Sequence, residues 1–143
     1  MIVLDTTILV YAMGSDHALR APCRGIVELC RDGLTRATTT VEVIQEFTHV
    51  RARRLPRGEA VARAREYSTG LGPLLRPDTD DLEDGLTLFE RSRSLGTFDA
   101  VLAAATRRKG WVLASADRAF ARVEGLTYLD PASRSFLDDA RAQ

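Results

Sequence analysis

The segment MIVLDTTILV sets an acid between two apolar runs, and that placement limits what the chain can build around it. Residues 1–4 and 8–10 would bury well, yet Asp5 interrupts them and two threonines follow. A lone carboxylate is costly to desolvate, so a buried or half-buried Asp normally has donors, a cation or a metal beside it. The segment reads as a short buried strand, residues 3–5, followed by a helix over about 7–13. Asp5 then stands where the strand ends.

The alternation continues along the chain. A helix over about 17–32 carries Leu19, Cys23, Ile26, Val27 and Cys30 on one face and ends at Gly33. The threonine-rich stretch 35–40 is β-prone and leads into a long helix over about 41–54, stopped before Pro56, with another over about 58–68. Leu74 and Leu75 offer a short strand. A helix over about 81–94 is expected to turn Leu82, Leu86 and Phe89 inward, and an alanine-rich helix over 98–109 closes at Gly110. WVLAS and LTYLD read as strands, and residues 133–141 as a last helix. Strands alternating with helices imply right-handed βα units and a parallel sheet covered on both faces, with the site beyond the strands' carboxyl ends. No repeat, low-complexity tract or linker interrupts the pattern, so residues 1–143 are expected to form one α/β domain.

At 143 residues such a domain buries roughly 68–70% of its unfolded surface without disulfides. No apolar run approaches the ~20 residues of a membrane span, and no basic leader precedes the apolar start. A cytoplasmic protein is expected. Cys23 and Cys30, seven residues apart on one helix, would lie about 10 Å apart along its axis, too far for a disulfide. Neither forms a CxxC pair or stands at zinc-ligand spacing from His17 or His49, so buried free thiols are expected.

Basic and acidic residues balance at 20 each, so net charge is silent on nucleic acid, but distribution is not. Lys109 is the only lysine, and the arginines cluster at Arg51, Arg53, Arg54 and Arg57, at Arg63 and Arg65, and at Arg107 and Arg108. These runs read either as solvated helix ends or as a surface for phosphate, which the guanidinium fork suits.

Three further acids fall where the same rim would be. Glu46 lies one turn beyond Glu42 on a shared helix face, Asp99 starts the alanine-rich helix, and Asp117 follows WVLAS. Each has a structural alternative. Glu42 fits a capping box with Thr39, Asp99 fits a helix-dipole partner with Thr97 as the cap, and Asp117 fits the cap of the turn that follows it. As a cluster, several carboxylates would raise one another's pKa values unless neutralised. Mg²⁺ or Mn²⁺, which prefer carboxylate and water oxygens, would remove that repulsion, lower the pKa of a bound water and stabilise charge on a phosphoryl group.

The segments IVLDTTILVYA, VEVIQEF, GTFDAVLAAAT and VLASADRAF together resemble the PIN-domain ribonucleases, in particular the VapC-type toxins of bacterial toxin–antitoxin pairs. The likeness spans nearly the whole chain. It implies a three-layer α/β/α fold around a central parallel sheet, and an endoribonuclease dependent on Mg²⁺ or Mn²⁺. It also implies a cognate antitoxin, an RNA substrate and a homodimer. By position, Asp5, Glu46, Asp99 and Asp117 match the family's catalytic, metal-binding acids, and Thr6 and Ser115 its small hydroxyl positions. Arg51, Arg53, Arg54, Arg107 and Arg108 become candidate contacts for RNA or antitoxin.

Rival patterns fit less well. A haloacid-dehalogenase phosphotransferase needs a second Asp where Thr7 stands, a receiver domain needs an acceptor Asp after a middle strand, and no G-x-G-x-x-G follows the first strand. The remaining alternative is a catalytically weak PIN-like module acting through RNA or partner binding.

Overall fold

The computed structural model describes residues 1–14 and 17–143. Its centre is a four-stranded sheet in the order β2-β1-β3-β4, with every pairing parallel. The two inner strands, β1 (Ile2–Leu4) and β3 (Val112–Ala114), are buried along their whole length. They read as unbroken apolar runs because helices cover both faces of a parallel sheet, leaving no side for polar residues. The outer strands are β2 (Ala37–Thr38) and β4 (Thr127–Leu129).

Around the sheet lie α1 (Thr6–Met13), α2 (Arg20–Arg31), α3 (Val41–Ala52), α4 (Arg57–Gly70), α5 (Thr79–Arg91), α6 (Thr97–Arg108) and α7 (Phe136–Arg141), completing an α/β/α sandwich. A short 3₁₀ turn, Arg118–Arg122, follows β3. Phe47, Phe120, Phe136, Ile8 and Leu9 are among the largest fully buried side chains of the core. Gly33 and Gly110 take φ of +71° and +64° and close α2 and α6, positions where a Cβ would be strained. Cys23 and Cys30 are free, and burial pushes their thiols up to about 12 and about 11.

Several expectations from the sequence need correcting. Leu74 and Leu75 form no strand; a single parallel bridge joins Leu75 to Thr40. The cap of α3 is Thr40, whose hydroxyl accepts the Val43 N–H at 3.2 Å, so the capping box between Thr39 and Glu42 does not exist. Thr39 is fully buried and spends its hydroxyl on the Leu4 carbonyl at 2.7 Å, tying the α3 entrance to β1. Gly96, not Thr97, stands at the cap of α6, with no side-chain bond. Leu82, Leu86 and Phe89 point outward, each between 41% and 43% exposed.

The reason for the last difference is Gly85. The buried positions of α5 are Asp81 and Gly85, one turn apart on the face next to the leucines. A Cβ at Gly85 would lie 2.7 Å from the Val101 Cα, so the α5 and α6 backbones meet there nearly in contact. Apolar periodicity alone chooses the wrong face, because the close approach demands the residue with no side chain. Arg108 locks the same pair. Its guanidinium reaches Asp81 at 2.9 Å, Asp78 at 3.0 Å and Asp80 at 3.2 Å, while Asp78 and Asp81 form the capping box of α5.

Gly85→Ala tests this packing. Overpacking costs about 1–3 kcal/mol, while alanine gains ~0.5–1 kcal/mol over glycine in a helix. The expected outcome is a net loss of about 1–2 kcal/mol, read as a lower melting temperature. At the exposed Gly58 of α4, with nothing within 4 Å of an added Cβ, the same change should be neutral or stabilising.

Candidate active site

Asp5 ends β1 and caps α1, and it is only 3% exposed. Its neighbours resolve the cost of that burial. Oδ2 accepts the Thr7 hydroxyl at 2.7 Å, the Ser115 hydroxyl at 2.7 Å and the Thr7 N–H at 3.3 Å. The network runs on through the loop after β3: the Ala116 N–H donates to Thr7 Oγ1 and the Asp117 N–H to Ser115 Oγ, both at 2.9 Å. Asp117 in turn caps the 3₁₀ turn, its Oδ1 accepting the Ala119 N–H at 2.8 Å. Because β1 and β3 are sheet neighbours with Leu4 opposite Ala114, the two acids that follow them arrive side by side.

Helices bring the other two. Glu46 lies midway along α3, where the Thr6 hydroxyl donates to its Oε2 at 2.6 Å. Asp99 sits in the first turn of α6, where the Gly96 N–H favours its charged form. Asp5, Glu46, Asp99 and Asp117 line one cleft of about 430 Å³, together with Thr6, Thr7, Tyr11 and Arg54. Glu42 does not share it and lines a separate small hollow with Pro77 and Phe98.

Their crowding has an electrostatic signature. Asp99 is pushed up to about 6, first by burial and then by the charges of Asp5 and Asp117, with a smaller push from Glu46. Asp5, Glu46 and Asp117 each tie one oxygen to a protein donor, and their other oxygens have no partner among the described residues. Nor does any Lys or Arg form an ion pair with the four among the described residues. Carboxylates left unpaired in this way form a donor set of hard oxygens. Among the described residues no group of three or more His, Cys, Asp or Glu is placed so as to hold a metal ion by itself. Mg²⁺ usually keeps several waters and takes only one or two carboxylates, so it does not require such a group.

The basic candidates separate. Arg54 lines the acidic cleft, and Arg53 is exposed near it in sequence. Arg51 buries its Nε with no hydrogen-bond partner, Arg107 donates to the Glu124 carbonyl at 3.2 Å, and Arg108 is held by its three aspartates. Two polar residues of the cleft escaped sequence reading. Thr7 carries the central hydrogen bonds, and the two successive threonines after Asp5 were the signal for it. Tyr11, stacked on His17 with ring centroids 4.3 Å apart, left no comparable signal.

A family model described as PIN domain matches residues 2–126. The chain belongs to the PIN-domain family. Over 133 residues, 92% of each chain, this PIN domain is 47% identical to ribonuclease VapC7 of Mycobacterium tuberculosis. Its fold is also that of VapBC2 from Rickettsia felis, solved with a DNA fragment of its promoter. That match has a TM-score of 0.70 at 15% identity, covering 91% of this chain and 98% of that one. VapC20 of Mycobacterium tuberculosis, described as a sarcin–ricin loop cleaving toxin, matches with a TM-score of 0.69 at 20% identity, over 85% and 93% of the chains. The family match ends before β4, so that strand and α7 lie beyond the matched stretch.

The raised Asp99 pKa makes a prediction about the metal-free protein. The folded state holds a proton up to about pH 6 that the unfolded chain releases near its ordinary value of 3.8. Stability from this group is therefore full below the lower value and is lost as pH rises through the upper one. Thermal melting in EDTA should show falling stability across that window. Asp99→Asn should flatten the fall, and Mg²⁺ should restore stability above it.

Proposed function

We propose that this chain is a metal-dependent endoribonuclease, the toxin of a toxin–antitoxin pair neutralised by a cognate antitoxin, with residues 1–143 forming one PIN domain. The observation that carries the reading is the single cleft shared by Asp5, Glu46, Asp99 and Asp117. The 47% identity to a ribonuclease over nearly the whole chain supports the reaction class. No helix among the described residues is long and apolar enough to cross a membrane.

Asp5, Glu46, Asp99 and Asp117 would hold Mg²⁺ or Mn²⁺. When bound, the ion supplies a water of lowered pKa and offsets negative charge on the phosphate. The chain's own groups do the positioning. Thr7 and Ser115 fix Asp5 through one oxygen and leave the other unpaired, and Thr6 does the same for Glu46. The Asp99 carboxyl, pushed up to about 6 by burial and by its acidic neighbours while no cation is present, would be drawn back to its charged form by an ion that it helps to hold. Arg54 offers the scissile region a cation among the acids. By resemblance to the family, water attacking phosphorus would displace the 3′ oxygen, leaving 5′-phosphate and 3′-hydroxyl ends.

Partners belong to the same proposal. Leu82, Leu86 and Phe89 form an exposed apolar stripe on α5, which supports association with another chain, whether a second copy or the antitoxin. A homodimer should appear in sedimentation at micromolar concentration, and a purely monomeric boundary would remove that part of the reading.

Cleavage of total RNA by purified chain tests the chemistry. EDTA should abolish it and Mg²⁺ or Mn²⁺ restore it; full activity in excess EDTA would sink the metal-dependent reading. Binding without cleavage would favour the alternative of a catalytically weak module. Asp5→Asn and Glu46→Gln keep the side-chain shape and remove the charge. Each should lower activity at least about 10–100-fold, the usual loss when even a ligand's supporting partner is removed. Glu42→Gln, outside the cleft, should cleave normally.

A further inference from the structure

A second cleft, about 640 Å³, opens between the end of α5, the loop that leads to α6 and the 3₁₀ turn. Arg91, Arg93, Arg107 and Arg122 line it against one acid, Glu124. Among the described residues none of these four arginines forms an ion pair, whereas Arg24, Arg31, Arg63, Arg108, Arg118 and Arg141 all do. Arg91, Arg93 and Arg122 are exposed. Four like charges around one hollow repel one another, and a fold gains nothing from that arrangement by itself.

The basic cleft adjoins the acidic one along two stretches of chain. Leu95 lines the basic cleft, and Asp99, four residues on, lines the acidic one. Asp117 and Ala119 are related in the same way on the other side, joined by a hydrogen bond of 2.8 Å. A polyanion whose scissile phosphate reaches the acids meets repulsion there and needs cations where its neighbouring phosphates run. Arg54 lines the acidic cleft, and the four arginines line the neighbouring one.

We infer that the cleft of Arg91, Arg93, Arg107 and Arg122 is a second binding site, holding the sugar–phosphate backbone of RNA next to the cleavage site. The inference rests on the ribonuclease reading for the occupant of the acidic cleft. The lining contains no aromatic ring, so there is no stacking platform and recognition is of phosphate rather than base. Binding at this site is therefore independent of sequence and strongly dependent on salt. An acidic protein segment is the competing occupant. Continuity with the acidic cleft favours RNA, because a substrate strand must leave that cleft and a peptide need not enter it.

The test uses full-length chain carrying Asp5→Asn, a short fluorescein-labelled single-stranded RNA of mixed sequence, and a salt titration. Arg91→Gln, Arg93→Gln and Arg122→Gln are combined; Arg107 stays because its guanidinium also holds the Glu124 carbonyl. Each single-strand phosphate that goes unneutralised takes about 0.7 off the slope of log affinity against log salt. The triple variant should lose about 1–2 in slope, weakening binding roughly 10–100-fold near 0.1 M salt and converging with its parent near 1 M. The matching triple lysine variant keeps the charges and should keep the slope, which separates weakened phosphate binding from a damaged fold. Unchanged slope and affinity in the glutamine variant overturn the inference. So does a variant that binds RNA normally but no longer binds polyglutamate, which assigns the cleft to a protein partner. Cleavage is scored separately on chain with Asp5 intact. Intact cleavage with an unchanged slope removes this site and spares the ribonuclease reading, whereas a lower slope without any cleavage does the reverse.

Discussion

Asp5 stands at the end of a strand buried on both faces, where a carboxylate without partners would cost more than the short strand could offset. Two hydroxyls and a backbone N–H converge on one of its oxygens, and those hydroxyls come from Thr7 and Ser115, residues 108 positions apart in sequence. The bonds that neutralise this burial therefore also staple the ends of β1 and β3 together. The Asp5 N–H adds to the staple by donating to the Ala114 carbonyl at 3.0 Å. Thr6, the residue between, points its hydroxyl the other way and fixes Glu46 on α3. Three successive residues thus position acids from three separate parts of the chain.

Two groups of acids show what this arrangement leaves undone. Asp78, Asp80 and Asp81 also lie close together in the first turn of α5 and its cap, but Arg108 pairs with all three. The cleft acids form no ion pair among the described residues, although Arg54 lines the same cleft, and Asp99 is pushed up to about 6, first by burial and then by the charges of Asp5 and Asp117. A chain with this many arginines had cations to spare. Repulsion left unrelieved at one rim, and relieved at the other end of α6, supports the proposed role of the acidic cleft in holding a cation.

Much of this was legible in the sequence, for physical reasons. The inner strands are continuous apolar runs because both faces are covered, and three of the acids lie beside chain turns that apolar periodicity and Gly or Pro punctuation mark plainly. What the sequence hid depends on the third dimension. Thr39 and Thr40 are equivalent as caps until β1 claims the Thr39 hydroxyl. The leucines of α5 have helical spacing, but the buried face is chosen by how closely Val101 approaches Gly85. Arg107 and Arg108 are adjacent in one basic run, yet one lines an open cleft and the other is consumed by three aspartates. Spacing reveals which residues share a face, and only packing decides which way that face looks.

Helix α6 shows how closely stability and site depend on one another. Its first turn carries Asp99, its middle meets α5 at Gly85, and its last turn carries Arg107 and Arg108. The Asp99 carboxyl can be kept against other negative charges only if the helix cannot slide or tilt away from them, since repulsion would otherwise relax by movement. A backbone-to-backbone crossing in the middle and a three-carboxylate clamp at the far end resist that movement at points remote from the acids. The repulsion in the cleft is thus resisted by contacts that lie outside it. Substitutions at Gly85 or Arg108 would then change the site by letting α6 move, although neither residue lines the acidic cleft.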